Sequence, residues 1–279
     1  MPKIACINDI SGYGRCSLTT AIAVLSVLGV QPCPVPTAVL SKHTGFSEYV
    51  FTDLTDQLGA YLRDWNVLSF DGIYTGFLGS HDQISVVEEF ICTHRRQEKP
   101  PTVIIDTVMG DAGALYATYT PQMCEAMRQL VRLADVITPN ITEACFLTDT
   151  EYHGESISTA EAEMLVQKLL DLGCGAAVIT GIRRDEILCN FGMNRDGLFF
   201  DAEQRTKRVF SGTGDLFASV LSGCLVQGAP LPESIQIAGE FTAYVTQRTL
   251  EQNTPPHEGV VFEPYLTELC NLMLGGHEK

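Results

Sequence analysis

The sequence predicts an α/β domain whose parallel or mostly parallel sheet is covered by helices on both faces. Two observations carry this expectation. Short β-rich runs alternate with helical patterns throughout, and no low-complexity stretch, repeat or long charge run divides the 279 residues. One domain, residues 1–279, is therefore expected rather than two. Lys3 to Ile7 reads as the first strand. It runs into the polar, glycine-rich loop Asn8-Asp9-Ile10-Ser11-Gly12-Tyr13-Gly14-Arg15 and then into a helix beginning near Ser17. Further strands are Val35 to Leu40, Gly72 to Thr75, Thr102 to Ile105, Val136 to Thr138 and Ala176 to Thr180. The clearest helix covers Ser158 to Leu172: Ser158 and Glu161 make a capping box, Ala162, Leu165, Val166, Leu169 and Leu172 recur at helical spacing, and Gly173 stops the run. A last helix carries Leu216, Val220, Leu221, Cys224 and Leu225.

Set against 34 Asp plus Glu, the 18 Lys plus Arg leave a formal charge of −16 on a chain that is 45% apolar and 19% charged. Such a surface repels nucleic acid and anionic lipid, whose binding needs basic residues to displace counterions. A small anionic ligand stays open, because helix N-termini, glycine-loop amides and a divalent metal hold phosphate without a basic surface. The 10 cysteines are too dilute for a disulfide scaffold and include no C-x-x-C, which predicts buried free thiols in a reducing, cytoplasmic compartment. Between Arg15 and Lys42 lie 26 uncharged residues. Pro32, Pro34 and Pro36 break that run, leaving an apolar stretch from Leu18 to Val30 that falls short of the roughly 20 residues a bilayer needs. A buried helix is expected there, and no membrane partner.

In an open α/β sheet the ligand crevice lies beyond the carboxyl ends of the strands, so the segments after each strand decide the chemistry. Gly12-Tyr13-Gly14-Arg15-Cys16-Ser17 approaches the dinucleotide fingerprint but has Ser17 for its third glycine and no acid between Asp9 and Glu48, so the ribose partner is missing. A Walker A loop is excluded, since Gly-Lys occurs nowhere. Ser211-Gly212-Thr213-Gly214-Asp215 leads straight into a helix, so the amides of Gly212, Thr213 and Gly214 can turn toward an anion at the positive end of the helix dipole. Asp215, in the first turn, is placed to take a proton from a hydroxyl attacking phosphorus. A tight turn with an ordinary N-terminal acid is the alternative. Thr138-Pro139-Asn140-Ile141-Thr142-Glu143 is double-edged in the same way: Asn140 and Glu143 fit a capping pattern, and also a strand-end carboxylate and amide for Mg²⁺ and its waters. Asp106, closing Val103-Ile104-Ile105, adds a second carboxylate. Arg205, Lys207 and Arg208 form the densest positive patch, either a solvated face or a contact to nucleotide phosphate.

Taken in order, these segments resemble the vitamin B6 kinases, the pyridoxal kinase branch of the ribokinase-like superfamily. The likeness runs from residue 4 to about 221 through Gly12-Tyr13-Gly14, Ser41-Lys42-His43-Thr44-Gly45-Phe46, Thr75-Gly76-Phe77-Leu78-Gly79, Asp106-Thr107-Val108-Met109-Gly110-Asp111, Ala134 to Ala144, Val178-Ile179-Thr180 and Gly212 to Ala218. No single piece is decisive; the ordered set is specific. The resemblance implies a three-layer αβα domain with no separate lid domain, a homodimer, and transfer of the γ-phosphoryl group of MgATP to the 5′-hydroxymethyl of pyridoxal, pyridoxine or pyridoxamine. It implies Asp215 as base with Gly212, Thr213 and Gly214 as the anion hole. Asp106 and Glu143 become metal-side acids, and Thr138, Asn140, Thr180, Thr213 and Arg208 nucleotide contacts. Asp9, His43, Thr44 and Phe77 fall at the pyridine site. Dependence on a monovalent cation stays open. Asp9 stands where family members commonly have Ser, and Phe77 where they have Tyr. An acid at position 9 fits a protonated pyridine nitrogen, and equally another heterocycle such as hydroxymethylpyrimidine. A hydroxymethylpyrimidine kinase and a non-catalytic vitamin-binding protein on this fold are the alternatives.

Overall fold

Along the chain run β1 (Lys3–Ser11), α1 (Ser17–Val27), β2 (Gln31–Leu40), β3 (Phe51–Asp53), α2 (Thr55–Asp64), β4 (Gly72–Thr75), α3 (His81–His94), β5 (Thr102–Ile105), β6 (Gly110–Asp111), β7 (Ala114–Leu115) and α4 (Pro121–Leu130). They are followed by β8 (Val136–Ile137), α5 (Ile141–Thr148), α6 (Thr159–Asp171), β9 (Ala176–Arg184), β10 (Ile187–Asn194), β11 (Gly197–Gln204), α7 (Thr213–Val226), α8 (Leu231–Glu251) and α9 (Leu266–Gly275). The computed structural model describes residues 1–185, 187–204 and 208–275. Arg205 and Lys207 of the basic patch lie outside the described residues.

One sheet takes the order β11-β10-β9-β8-β5-β4-β1-β2-β3. Its interior ladder, from β2 through β1, β4, β5 and β8 to β9, is parallel; β3, β10 and β11 join the two margins antiparallel. The parallel strands are apolar on both faces because each face is covered. Ala5, Ile7, Ile73, Val103, Ile105, Ile137 and Ile179 pack with Leu58 and Leu62 of α2, Ile84 and Phe90 of α3, Met127 of α4, Ala144 of α5 and Leu165 of α6. Ile4, Cys6, Tyr74 and Ile104 meet Leu18 and Leu25 of α1, while Val136 and Val178 meet Leu216 and Val220 of α7 and Ala238 and Phe241 of α8. The result is the three-layer α/β fold.

Several strands run further than their local patterns indicate. β1 continues through Asn8 and Asp9 to Ser11, because β2 pairs with it past a bulge between Asn8 and Ile10. β9 continues to Arg184 because β10 pairs with it, and the β10–β11 hairpin is an element the sequence reading did not name. β2 begins at Gln31 and passes through all three prolines. The Gln31 amide donates to the Pro2 carbonyl at 2.8 Å, so the odd positions turn their N–H toward β1 and Pro32, Pro34 and Pro36 turn their missing donors outward. Tyr61 of α2 donates its hydroxyl to the outward Pro34 carbonyl at 3.1 Å. Among the described residues no helix is long and apolar enough to cross a membrane, and all ten cysteines are free.

Candidate active site

The chain leaves β1 toward β2 on one side and returns to β4 on the other, so the carboxyl ends of β1 and β4 form the crevice where such sheets bind ligands. Asn8 locks this point. Its Oδ1 accepts the amides of Asp9 at 2.9 Å and Phe77 at 2.8 Å, and its Nδ2 donates to Asp215 Oδ1 at 3.4 Å. A side chain at residue 76 would meet Asn8 Nδ2 at 2.2 Å, which explains Gly76. Around the crevice opens a cavity of about 830 Å³, lined by Asp9, His43, Thr44, Phe77, Asp106, Thr138, Asn140, Glu143, Thr180, Arg208, Gly212, Thr213, Gly214 and Asp215. Among the described residues, the structure therefore brings these candidates from the sequence to one chamber.

At one wall, α7 starts at Thr213 with Gly212 as N-cap in the left-handed region at φ 77°. A Cβ on Gly212 would lie 1.9 Å from the Arg15 carbonyl oxygen, so only glycine fits, whereas Gly214 faces open space. Asp215 sits half-buried in the first turn, and burial together with the neighbouring Asp9 carboxylate pushes it up to about 7. Ser17, in the left-handed region at φ 51°, lies beside both acids, where its backbone amide draws Asp215 down and its hydroxyl draws Asp9 down against the effect of burial. Asp9 is buried, accepts the Ser11 hydroxyl at 2.8 Å, and is raised by burial above the ordinary carboxylate range.

Across the chamber, Asn140 and Glu143 form a complete capping box on α5, with both bonds at 2.9 Å. Glu143 also takes the Met109 amide at 3.1 Å and the Thr107 hydroxyl at 3.3 Å. Burial still pushes it up to about 7. Asp106 accepts the Thr138 hydroxyl at 3.1 Å and stands well above its usual range, first from burial and then from the charges of Glu143 and Asp215. The capping role suggested for Glu143 is present, and the same carboxylate is a buried acid lining the cavity. Among the described residues no group of three or more His, Cys, Asp or Glu forms a ready metal cage. Two buried carboxylates with spare lone pairs suit a hard cation that completes its shell with water and phosphate oxygens.

His43 is buried against the cavity, but both ring nitrogens are engaged by the protein: Nδ1 accepts the Gly45 amide at 3.0 Å and Nε2 meets the His257 carbonyl at 2.6 Å. Thr44 is exposed at the mouth, Phe77 packs on Ala38 and Leu40, and Thr180 lies on β9 near Arg183, whose guanidinium pairs with Glu155. Asn8, Ser17 and Arg183 escaped the sequence reading. For Asn8 a signal existed, an amide following directly on an apolar strand; for Ser17 none did, since its backbone strain appears only in three dimensions.

A family model for phosphomethylpyrimidine kinase matches residues 17–259. The chain belongs to this family. Within it, pig pyridoxal kinase is 30% identical over 256 residues, covering 81% of this chain and 76% of that protein. A Bacteroides thetaiotaomicron structure, described provisionally as a phosphomethylpyrimidine kinase and solved in a crystal form with pyridoxal, superposes with a TM-score of 0.90 at 36% identity, covering 96% of this chain and 95% of that one. Lactobacillus plantarum pyridoxal kinase superposes at 0.89 with 28% identity over 99% of each chain. The fold is ribokinase-like and the chain is of the pyridoxal kinase type.

Proposed function

We propose that this chain transfers the γ-phosphoryl group of ATP to the 5′-hydroxymethyl of a B6 vitamer. The observation that carries the reading is the Gly212–Asp215 start of α7, where an anion cradle and a carboxyl poised near neutrality open on one chamber. The pyridoxal in the Bacteroides relative's crystal and the pyridoxal kinase relatives favour a vitamer over hydroxymethylpyrimidine.

In the proposed reaction the ring lies at the Asp9, Thr44 and Phe77 end and presents its hydroxymethyl to Asp215. The hydroxyl oxygen forms a bond to the γ-phosphorus, the bridging bond to the β-phosphate breaks, and the hydroxyl proton passes to Asp215. The Gly212, Thr213 and Gly214 amides hold the transferring charge. Thr138, Asn140, Thr180 and Arg208 hold the nucleotide. Asp106 and Glu143 would hold Mg²⁺, which when bound neutralises phosphate charge. We further propose a single catalytic domain without a separate lid, acting as a cytoplasmic homodimer. Free thiols and the exposed Val39, Val50 and Phe51 support that reading.

The test is ADP release over a panel of pyridine, pyrimidine and sugar alcohols. B6 vitamers are expected to dominate, and Asp215→Asn is expected to lower kcat by about 10²–10⁴ while nucleotide binding persists. Near-normal turnover in that variant would remove Asp215 from the base role.

A further inference from the structure

The chamber mouth is built from three loops that are far apart in sequence. Gly14 belongs to the first, with φ +100°; His43 and Gly45 belong to the second; His257 belongs to the third. The His43 ring touches all three. A Cβ on Gly14 would lie 2.4 Å from His43 Cδ2, and one on Gly45 would lie 2.7 Å from His43 Cε1, so two glycines make the slot that the ring fills. The Gly45 amide can only donate, so Nδ1 accepts, and the ring proton sits on Nε2 where it is given to the His257 carbonyl. Phe46 stands edge-on to His43 at 4.9 Å and to His257 at 4.8 Å, sealing the junction.

The third loop leads to the cradle. The Ser211 amide donates to the Pro256 carbonyl at 3.0 Å, directly before Gly212. Arg15 donates from its own amide to the Glu258 carbonyl at 3.2 Å and from its side chain to Glu263 at 2.7 Å, while its carbonyl abuts Gly212. The path from His43 to the α7 start is therefore a chain of short contacts through residues 256–258.

We propose that His43 is a positioning residue: a clasp that joins loop 42–46 to loop 255–259 and thereby fixes where the Gly212–Gly214 cradle sits. With both ring nitrogens committed, it offers a ligand no hydrogen bond. Its kinetic consequence rests on the kinase reading; its structural consequence does not.

Hydrogen exchange on the full chain without ligand tests the clasp directly. In His43→Ala, amides at 43–46, 257–259 and 211 are expected to exchange about tenfold faster while α6 keeps the parent rate. In His43→Gln, whose amide N–H can reach the His257 carbonyl, exchange at 257–259 is expected to return toward the parent. In turnover, His43→Ala is expected to lower kcat about tenfold with little change in vitamer KM, and His43→Gln to recover part of it. Faster exchange confined to 43–46 in both variants overturns the proposal. So does a rise in vitamer KM at unchanged kcat, which would make the ring a direct substrate contact. A parent enzyme that phosphorylates no vitamer would sink the kinase reading and leave the exchange result standing.

Discussion

At the scale of single residues, Asp215 is where two physical effects meet. Burial and the Asp9 charge raise it, while the Ser17 amide and Asn8 pull it down, and burial wins to leave it near neutrality. A base must be deprotonated to act, so kcat/KM is expected to rise with pH along an acid limb that reports Asp215. Asp9→Asn removes the second upward cause, and the limb is expected to move to lower pH in a pH–rate profile; a limb that stays put would separate the two acids. Asp215 and Gly212 were legible in the sequence because a helix start with flanking glycines is a local pattern. Asn8 and Ser17 were not, since their roles depend on β4 and α7 arriving from elsewhere in the chain.

Elements show how one local device serves two ends. The α5 and α6 capping boxes are chemically alike, Asn140 with Glu143 and Ser158 with Glu161. Glu161 is exposed, whereas Glu143 is buried beside Asp106. Ser158→Ala and Asn140→Ala are each expected to cost about 1 kcal/mol of stability by thermal unfolding. Only Asn140→Ala is expected to lower turnover as well, because it frees the Glu143 backbone amide, loosening the first turn that sets its carboxylate, and the Gly110 carbonyl that the Asn140 side-chain amide holds at 2.9 Å. Equal turnover in the two variants would reduce α5 to a scaffold. Both helix starts could be read from spacing. The β10–β11 hairpin could not, because Asn190 and Asp201 fall at buried positions and satisfy each other at 3.0 Å, which blurs the alternation.

For the molecule as a whole, the acids of the chamber act against stability. Asp9, Asp106, Glu143 and Asp215 are all raised in the folded protein, so between the ordinary carboxylate range and about 7 the unfolded chain holds fewer protons and folding weakens as pH rises. Asp215→Asn, although expected to turn over slowly, is therefore also expected to melt above the parent, by a margin that grows from pH 5 to pH 8 as read by ligand-free thermal unfolding. A constant margin would mean the carboxyl is not raised. The net charge of −16 sets the same demand for any nucleotide, namely positive potential made locally. The row of prolines on β2 has a different reach. A foreign strand that approached the outer margin of residues 32–36 would find no amide hydrogen to share at any of the three outward positions, and one carbonyl already taken by Tyr61. That stretch cannot template another backbone, so it resists edge-to-edge aggregation, and partners that meet it must do so through side chains.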